Sequence, residues 1–264
     1  MPNQLDFLPI WLFLASITFG VLLAIEAGYR LGKYRCQSTE TETAGPLGTI
    51  VGATLGLLAF MLACTFGLAA SRFEMRREMV VEEANAIGTT FLRAGFLPEN
   101  QVAPTRQLLA EYVSSRLEVV QTGDVNQALT RADALHHKLW QETEVAGRTQ
   151  PDSIPIGLFV QALNEMIDVH SERVLVGLRS RLPLILWGAL LLLTTFAMAG
   201  VGYHEALAKS KRSPVTLVLV LSYLIVITLV VDLDRPREGL IKVNQEAMTS
   251  LKSMIDGAQA FEAK

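Results

Sequence analysis

Three polar stretches of this 264-residue chain carry side chains that could do chemistry: VVEEANAIGTTFLRAG (80–95), LNEMIDVHSERV (163–174) and DLDRPREG (232–239). In the first, Glu82, Glu83 and Asn85 interrupt a helical run. Adjacent helical residues point about 100° apart, so Glu82 and Glu83 cannot serve one ligand from the same turn. No His or Cys stands beside them at metal-ligand spacing. The expectation is a solvated helix face, with Glu78 and Glu82 opposed by Arg76 and Arg77. An interhelical polar contact or a pore-lining role is the alternative. In the second stretch, Asn164, Glu165 and Asp168 share a turn, His170 falls on the apolar stripe, and Arg173 follows. Glu165 and His170 are five apart, which is not the Glu-x-x-His spacing of di-iron bundles. A hydrogen-bonded core histidine is therefore preferred to a metal site built from Asp168, His170 and a glutamate. His136 and His137 read as a solvated pair. No Gly-rich phosphate loop, nucleophile elbow or HExxH motif is present. The expectation is no enzyme: no catalytic residue, no cofactor and no metal.

These groups must be positioned by helices, and hydropathy says where most of those run. Half of the residues are hydrophobic and the net charge is −3, yet the charges are unevenly spread. Leu8–Ala27, Leu47–Ala70, Leu182–Gly202 and Pro214–Val231 are nearly free of them. A helix needs roughly 20 residues to cross a ~30 Å hydrocarbon core, and a backbone in lipid must satisfy its own hydrogen bonds. Four transmembrane helices follow. The N-terminus MPNQLDFLPIW lacks a basic n-region, so the first span is expected to be retained rather than cleaved. Cys36 falls on a loop and Cys64 in a span, so no structural disulfide is expected.

The organisation is 1–70 for the first two membrane helices, 71–181 for a helical insert, 182–232 for the other two spans, and 233–264 for a tail with an amphipathic helix. Four crossings put insert and termini on one side. That side carries Arg72, Arg76, Arg77, Arg173, Arg179, Arg181, Arg235, Arg237 and Lys242 near the membrane. The other carries Arg30, Lys33, Arg35, Lys209, Lys211 and Arg212. The bias favours a multi-pass protein with insert and termini cytoplasmic.

The insert is helical throughout. Val80, Ala84, Ile87 and Phe91 recur at helical spacing, so the second membrane helix continues to about Ala94 as a rod of roughly 70 Å. Pro98 and Pro104 punctuate the next turn. Leu108, Leu109, Tyr112, Val113, Leu117 and Val120 mark a second helix, ended by Thr122, Gly123 and Asp124. Leu129, Ala132, Leu135 and Leu139 mark a third. A fourth runs from about Ile156 into the membrane. With no β pattern, the fold class is all-α.

Inside the bilayer, Gly48, Gly52, Gly56, Ala59, Ala63 and Gly67 stand in register on the second span. Small residues let a second backbone approach closely, so this ridge is expected to pack against a helix or line a pore near an oligomer axis. Glu26 is the only acid within a predicted span, near its end where it can reach the interface, and no charge lies at a predicted bilayer centre. A narrow neutral pore is compatible with that.

DLDRPREG ends the fourth span. Pro236 stops the helix, and Asp232 and Asp234 lie where the helix dipole disfavours negative charge. They are expected to form a charge-paired elbow with Arg235, Arg237 and the arginines after the second span. The tail stripe Met248, Leu251, Ile255, Ala258 and Phe261 is expected to pack on the insert or on a neighbouring subunit.

Taken in order and at these separations, VVEEANAIGTTFLRAGFLP, LNEMIDVHSERV and DLDRPREGLIKVNQ resemble the bestrophin-like domain family of bacterial integral membrane proteins, catalogued as a domain of unknown function. The resemblance runs from about Leu47 to the tail. It implies a bacterial plasma-membrane homo-oligomer with helical cytosolic parts, acting as an anion channel whose partners are the lipid bilayer and small anions, not nucleic acid. This chain departs from bestrophins in lacking a proline in the second span and an acidic calcium-binding run after the fourth. The alternative is a four-span sensor or scaffold that conducts nothing.

Overall fold

The computed structural model describes residues 9–38, 44–179, 181–208, 214–235 and 239–262. Eight α-helices and one 3-10 turn account for nearly all of them, with no strand among the described residues. In chain order the helices are α1 (Ile10–Ser38), α2 (Ala44–Arg93), α3 (Glu99–Thr122), α4 (Val125–Thr149), α5 (Ile154–Arg179), α6 (Leu184–Leu207), α7 (Pro214–Asp234) and α8 (Glu246–Glu262). Helices α1, α2, α6 and α7 contain the four stretches long and apolar enough to cross a membrane. At 1.5 Å per residue the 50-residue α2 is about 75 Å long, so only its apolar part, to about Ala70, can lie in a bilayer.

The chain divides into two compact units, 1–73 with 180–242, and 74–179 with 243–264. In the first, the tightest packing is between α1 and α6. A Cβ built on Gly28 would lie 2.0 Å from the Ala199 carbonyl oxygen, and one on Gly202 would lie 2.0 Å from that of Ile25. Gly32 meets the Tyr203 backbone at 2.8 Å in the same way. Backbone-to-backbone contact of this kind is how helices associate in lipid, where burying leucine gains little over leaving it among acyl chains. Thr194 and Tyr223 add a hydroxyl–hydroxyl bond of 2.9 Å between α6 and α7. Phe19, Phe60, Phe196 and Ile225 stay exposed on the apolar stretches, as residues facing lipid do.

In the second unit, apolar stripes of α2, α3, α4, α5 and α8 close one core around Phe91, Tyr112, Leu139, Phe159 and Met166. Burying each such side chain from water stabilises by about 1.5–3 kcal/mol. Local signals set the helix ends. Gly123 takes φ 73°, a left-handed cap that a Cβ would strain, and its N–H bonds the Val119 carbonyl at 2.9 Å. One residue later the Asp124 carboxylate caps α4 by accepting the Gln127 N–H at 3.1 Å, an arrangement worth about 1 kcal/mol.

Two expected boundaries move. Pro104 does not end the helix: it sits in the second turn of α3, which continues through it without the N–H bond that proline cannot make. The insert's fourth helix does not continue into the third apolar segment: α5 ends at Arg179 and α6 starts at Leu184 behind Pro183. The tail helix packs with the insert through Met248, Leu251 and Ile255, whereas Phe261 at the end of its stripe is 83% exposed.

Candidate functional site

At the centre of the second unit lies a buried polar cluster organised on Glu83. Its position on α2 is one turn before Ile87 and two before Phe91, so the core-facing stripe carries it inward while Glu82 and Asn85 stay exposed. The solvated-face expectation holds for Glu82 and fails for Glu83, whose side chain is wholly buried. Period decides this: the apolar stripe passes through position 83, and the carboxylate is held there by partners from other helices.

Tyr112 of α3 donates its hydroxyl hydrogen to Glu83 Oε1 at 2.9 Å. Arg116, one turn later on α3, places Nε 3.1 Å from the same oxygen. Arg173 of α5 donates from Nη1 to Oε2, and from Nη2 to Gln245 Oε1 at 3.2 Å, which brings the start of the tail into the network. His170 of α5 completes the set, with Nδ1 2.8 Å from Tyr112 Oη and 3.3 Å from Glu83 Oε1. Since Tyr112 gives its own hydrogen to the carboxylate, its oxygen accepts from His170, which puts the ring proton on Nδ1.

The electrostatics follow from this geometry. Burial alone would raise the Glu83 carboxyl, but the His170 hydrogen bond and the charges of Arg173 and Arg116 outweigh it and hold the pKa well below the ordinary carboxylate range. Burial and the adjacent Glu83 charge raise the Tyr112 phenol well above its usual value. His136 of α4 stacks on this group, its ring 5.0 Å from Tyr112 and 4.9 Å from His170. Burial and the neighbouring His170 lower its pKa to about 4, so the ring is neutral at pH 7. It is 8% exposed, and among the described residues its Nε2 has no hydrogen-bond partner. Such an orphan costs about 1–3 kcal/mol. The solvated-pair expectation therefore holds only for His137, which is exposed.

The structure joins Glu83, His170 and Arg173 and leaves Asn164, Glu165 and Asp168 exposed on the opposite side of α5. Sequence reasoning missed Tyr112, Arg116 and His136. Tyr112 reads as part of an apolar stripe, and Arg116, one turn later in the same register, is the signal the sequence offers.

At the end of α7 backbone amides reach both carboxylates of the elbow. The Asp232 carboxylate accepts the Leu240 and Ile241 amides at 2.6 and 2.9 Å, and Gly239 is pressed so close to it that a Cβ would lie 2.9 Å from Asp232 Oδ1. Asp234 Oδ1 accepts the Leu182 amide at 2.9 Å, while Arg181 donates to the Asp234 carbonyl at 3.0 Å. Arg235 lies over the Phe13 ring at 5.2 Å. Backbone N–H groups thus receive both carboxylates at the unfavourable end of the dipole. Pro236 and Arg237 lie outside the described residues, as do Lys209, Lys211 and Arg212.

On α2, Gly52, Gly56, Ala59, Ala63 and Gly67 are all exposed, and a Cβ on Gly52, Gly56 or Gly67 would meet nothing within 4 Å. Among the ridge's glycines Gly48 differs, since a Cβ there would lie 3.1 Å from His204 Nε2. The face of α2 turned into the chain is instead Leu58, Leu62, Thr65 and Ala69.

A crystal structure of a membrane protein shares the fold, with a TM-score of 0.59, 16% identity and coverage of 93% of this chain and 97% of that one. Comparison with curated proteins finds no match. The Bestrophin-like domain model matches residues 12–248, and with most of its length so covered this chain belongs to the bestrophin-like family of membrane proteins.

Proposed function

We propose that the protein is a homo-oligomeric anion channel of a plasma membrane, with α2 of each copy beside the pore axis. The observation that carries this reading is the uncovered α2 ridge. Only 11% of the most apolar window of α2 is buried within the chain, against 22–28% for the other three. Its exposed surface carries Gly52, Gly56, Ala59, Ala63 and Gly67 beside larger side chains such as Leu57, Phe60 and Leu68, and the small residues gain little from lipid but allow a backbone to approach or a narrow lumen to form. A four-span chain is too small to enclose water alone, so conduction requires several copies around an axis. Membership of the bestrophin-like family supports the same assembly.

The decisive measurements are native mass in detergent and chloride flux from liposomes containing the purified protein. A multimer with flux that falls in Gly52→Leu and Ala63→Leu, but not in Leu58→Ile, is expected. A strict monomer ends the channel reading. The second reading, a sensor or scaffold, draws on the unbroken course of α2 from its apolar stretch to Arg93. An oligomer without flux for any small anion favours it.

A further inference from the structure

Helices α4 and α5 bring together three side chains beside Glu83, of which His170 also belongs to the Glu83 network. Asp133, His136 and His170 each place one ligating atom within 4.8 Å of the other two. Asp133 and His136 are three apart on α4, so they share a face, and this is the carboxylate-x-x-His spacing that metal-binding helices use. His170 reaches them from α5, its ring edge-on to that of His136.

Two observations distinguish this group from an incidental cluster. First, His136 is more than nine-tenths buried and its Nε2 has no hydrogen-bond partner among the described residues, a donor atom with nothing to serve. Second, His170 is already oriented from behind. Its Nδ1–H is held by Tyr112 Oη and Glu83, which leaves Nε2 as the nitrogen with a lone pair to give. A carboxylate behind an imidazole is the outer-shell arrangement that fixes the tautomer of metal-bound histidines.

We propose that Asp133, His136 and His170 form a three-ligand site for a divalent transition metal of the zinc class, with its fourth position open to water or an added ligand. Tetrahedral zinc sets donor atoms about 3.3 Å apart, and Asp133, exposed on α4, is the arm free to close the remaining distance. Charge argues for the metal class. Glu83 is already paired with Arg116 and Arg173, which leaves Asp133 as the one carboxylate among the three ligands. Two imidazole nitrogens and one carboxylate oxygen select by donor type, which favours zinc over calcium or magnesium.

The test uses the full chain purified without a polyhistidine tag, with Cys36 and Cys64 changed to serine to remove thiolate sites, and stripped with chelator. Zinc chloride is then titrated while binding and melting temperature are followed, and cobalt replaces zinc to read ligand geometry from its visible absorption. One equivalent per chain, a rise in melting temperature and a four-coordinate cobalt spectrum are expected. Asp133→Ala and His136→Phe should each weaken zinc binding by more than the roughly 10–100-fold that loss of an outer-shell partner costs. His137→Ala, on the exposed neighbour, should leave it unchanged. If His136→Phe does not fold, Asp133→Ala at the surface decides alone. Absence of stoichiometric zinc binding in the parent chain, or equal affinity in Asp133→Ala, overturns the proposal. None of these readouts depends on ion flux, so the site stands or falls separately from the channel reading.

Discussion

Glu83 is the residue on which the second unit's polar core depends. Its carboxylate is the counter-charge for Arg116 and Arg173, both removed from most solvent. Glu83→Gln keeps the shape and removes the charge, leaving two buried guanidiniums without compensation. Breaking a buried pair in this way costs about 3–5 kcal/mol, so the variant should melt far below the parent. Glu82→Gln, exposed on the same helix, should change stability by no more than about 0.5 kcal/mol. Equal melting of the two would show that the network contributes little. Acid should act on the same core. A folded-state pKa of about 4 for His136, below its ordinary 6.5, means that the unfolded chain binds this proton first. The residue is neutral to stability above pH 6.5 and subtracts from it progressively as pH falls from 6.5 to about 4. The depressed Glu83 pKa adds stability that is present above the ordinary carboxylate value and lost as pH falls through the folded one. In chelated protein, melting temperature should therefore drop between pH 7 and pH 5, and drop less in His136→Phe. A profile of equal slope in parent and variant would exclude His136 as a source of the acid sensitivity.

At the scale of elements, the small residues that join helices are not the ones with the longest register. The ridge from Gly48 to Gly67 stands out in the sequence by repetition, yet within the chain most of it is uncovered. Closest approach belongs to the pair Gly28 and Gly32 on α1 against Ala199 and Gly202 on α6. Gly28 and Gly32 are themselves four apart, so this signal was in the sequence, but a short motif near a span end reads weakly beside a longer one. Since a Cβ on Gly202 would overlap the Ile25 backbone, Gly202→Ala should force α1 and α6 apart. Overpacking of this kind costs about 1–3 kcal/mol, and a backbone obstacle cannot rotate away. Gly20→Ala, on α1 with open space around it, is the matched control and should melt like the parent in detergent. Should Gly202→Ala also melt like the parent, the two helices are not in backbone contact.

For the whole molecule, the arginine bias predicts that insert and termini share the cytoplasmic side. Single cysteines at Gln127 and Ser38, in a background lacking Cys36 and Cys64, should label oppositely with an impermeant thiol reagent in intact cells. Labelling of position 127 from outside would reverse the orientation. That experiment bears on function as well, because the tail helix and the insert form one core and must lie on the same side of the bilayer.

What the sequence determined by itself is whatever depends on local composition and period. Four apolar runs define membrane helices because lipid leaves a backbone no other partner, and the 3.6-residue stripes of the insert name most of its core before any packing is known. Gly123 and Asp124 mark a helix boundary for equally local reasons. Only the tertiary structure decided which polar residues meet. Glu83, Tyr112, Arg116, His136 and His170 come from four helices, and their grouping rests on how those helices turn about their axes when their apolar faces close. No single helix carries that rotation in its own sequence. The same holds for Asp232 and Asp234: the charge at the helix end was legible, whereas the amides of Leu240, Ile241 and Leu182 that receive it are supplied by chain segments brought there by folding.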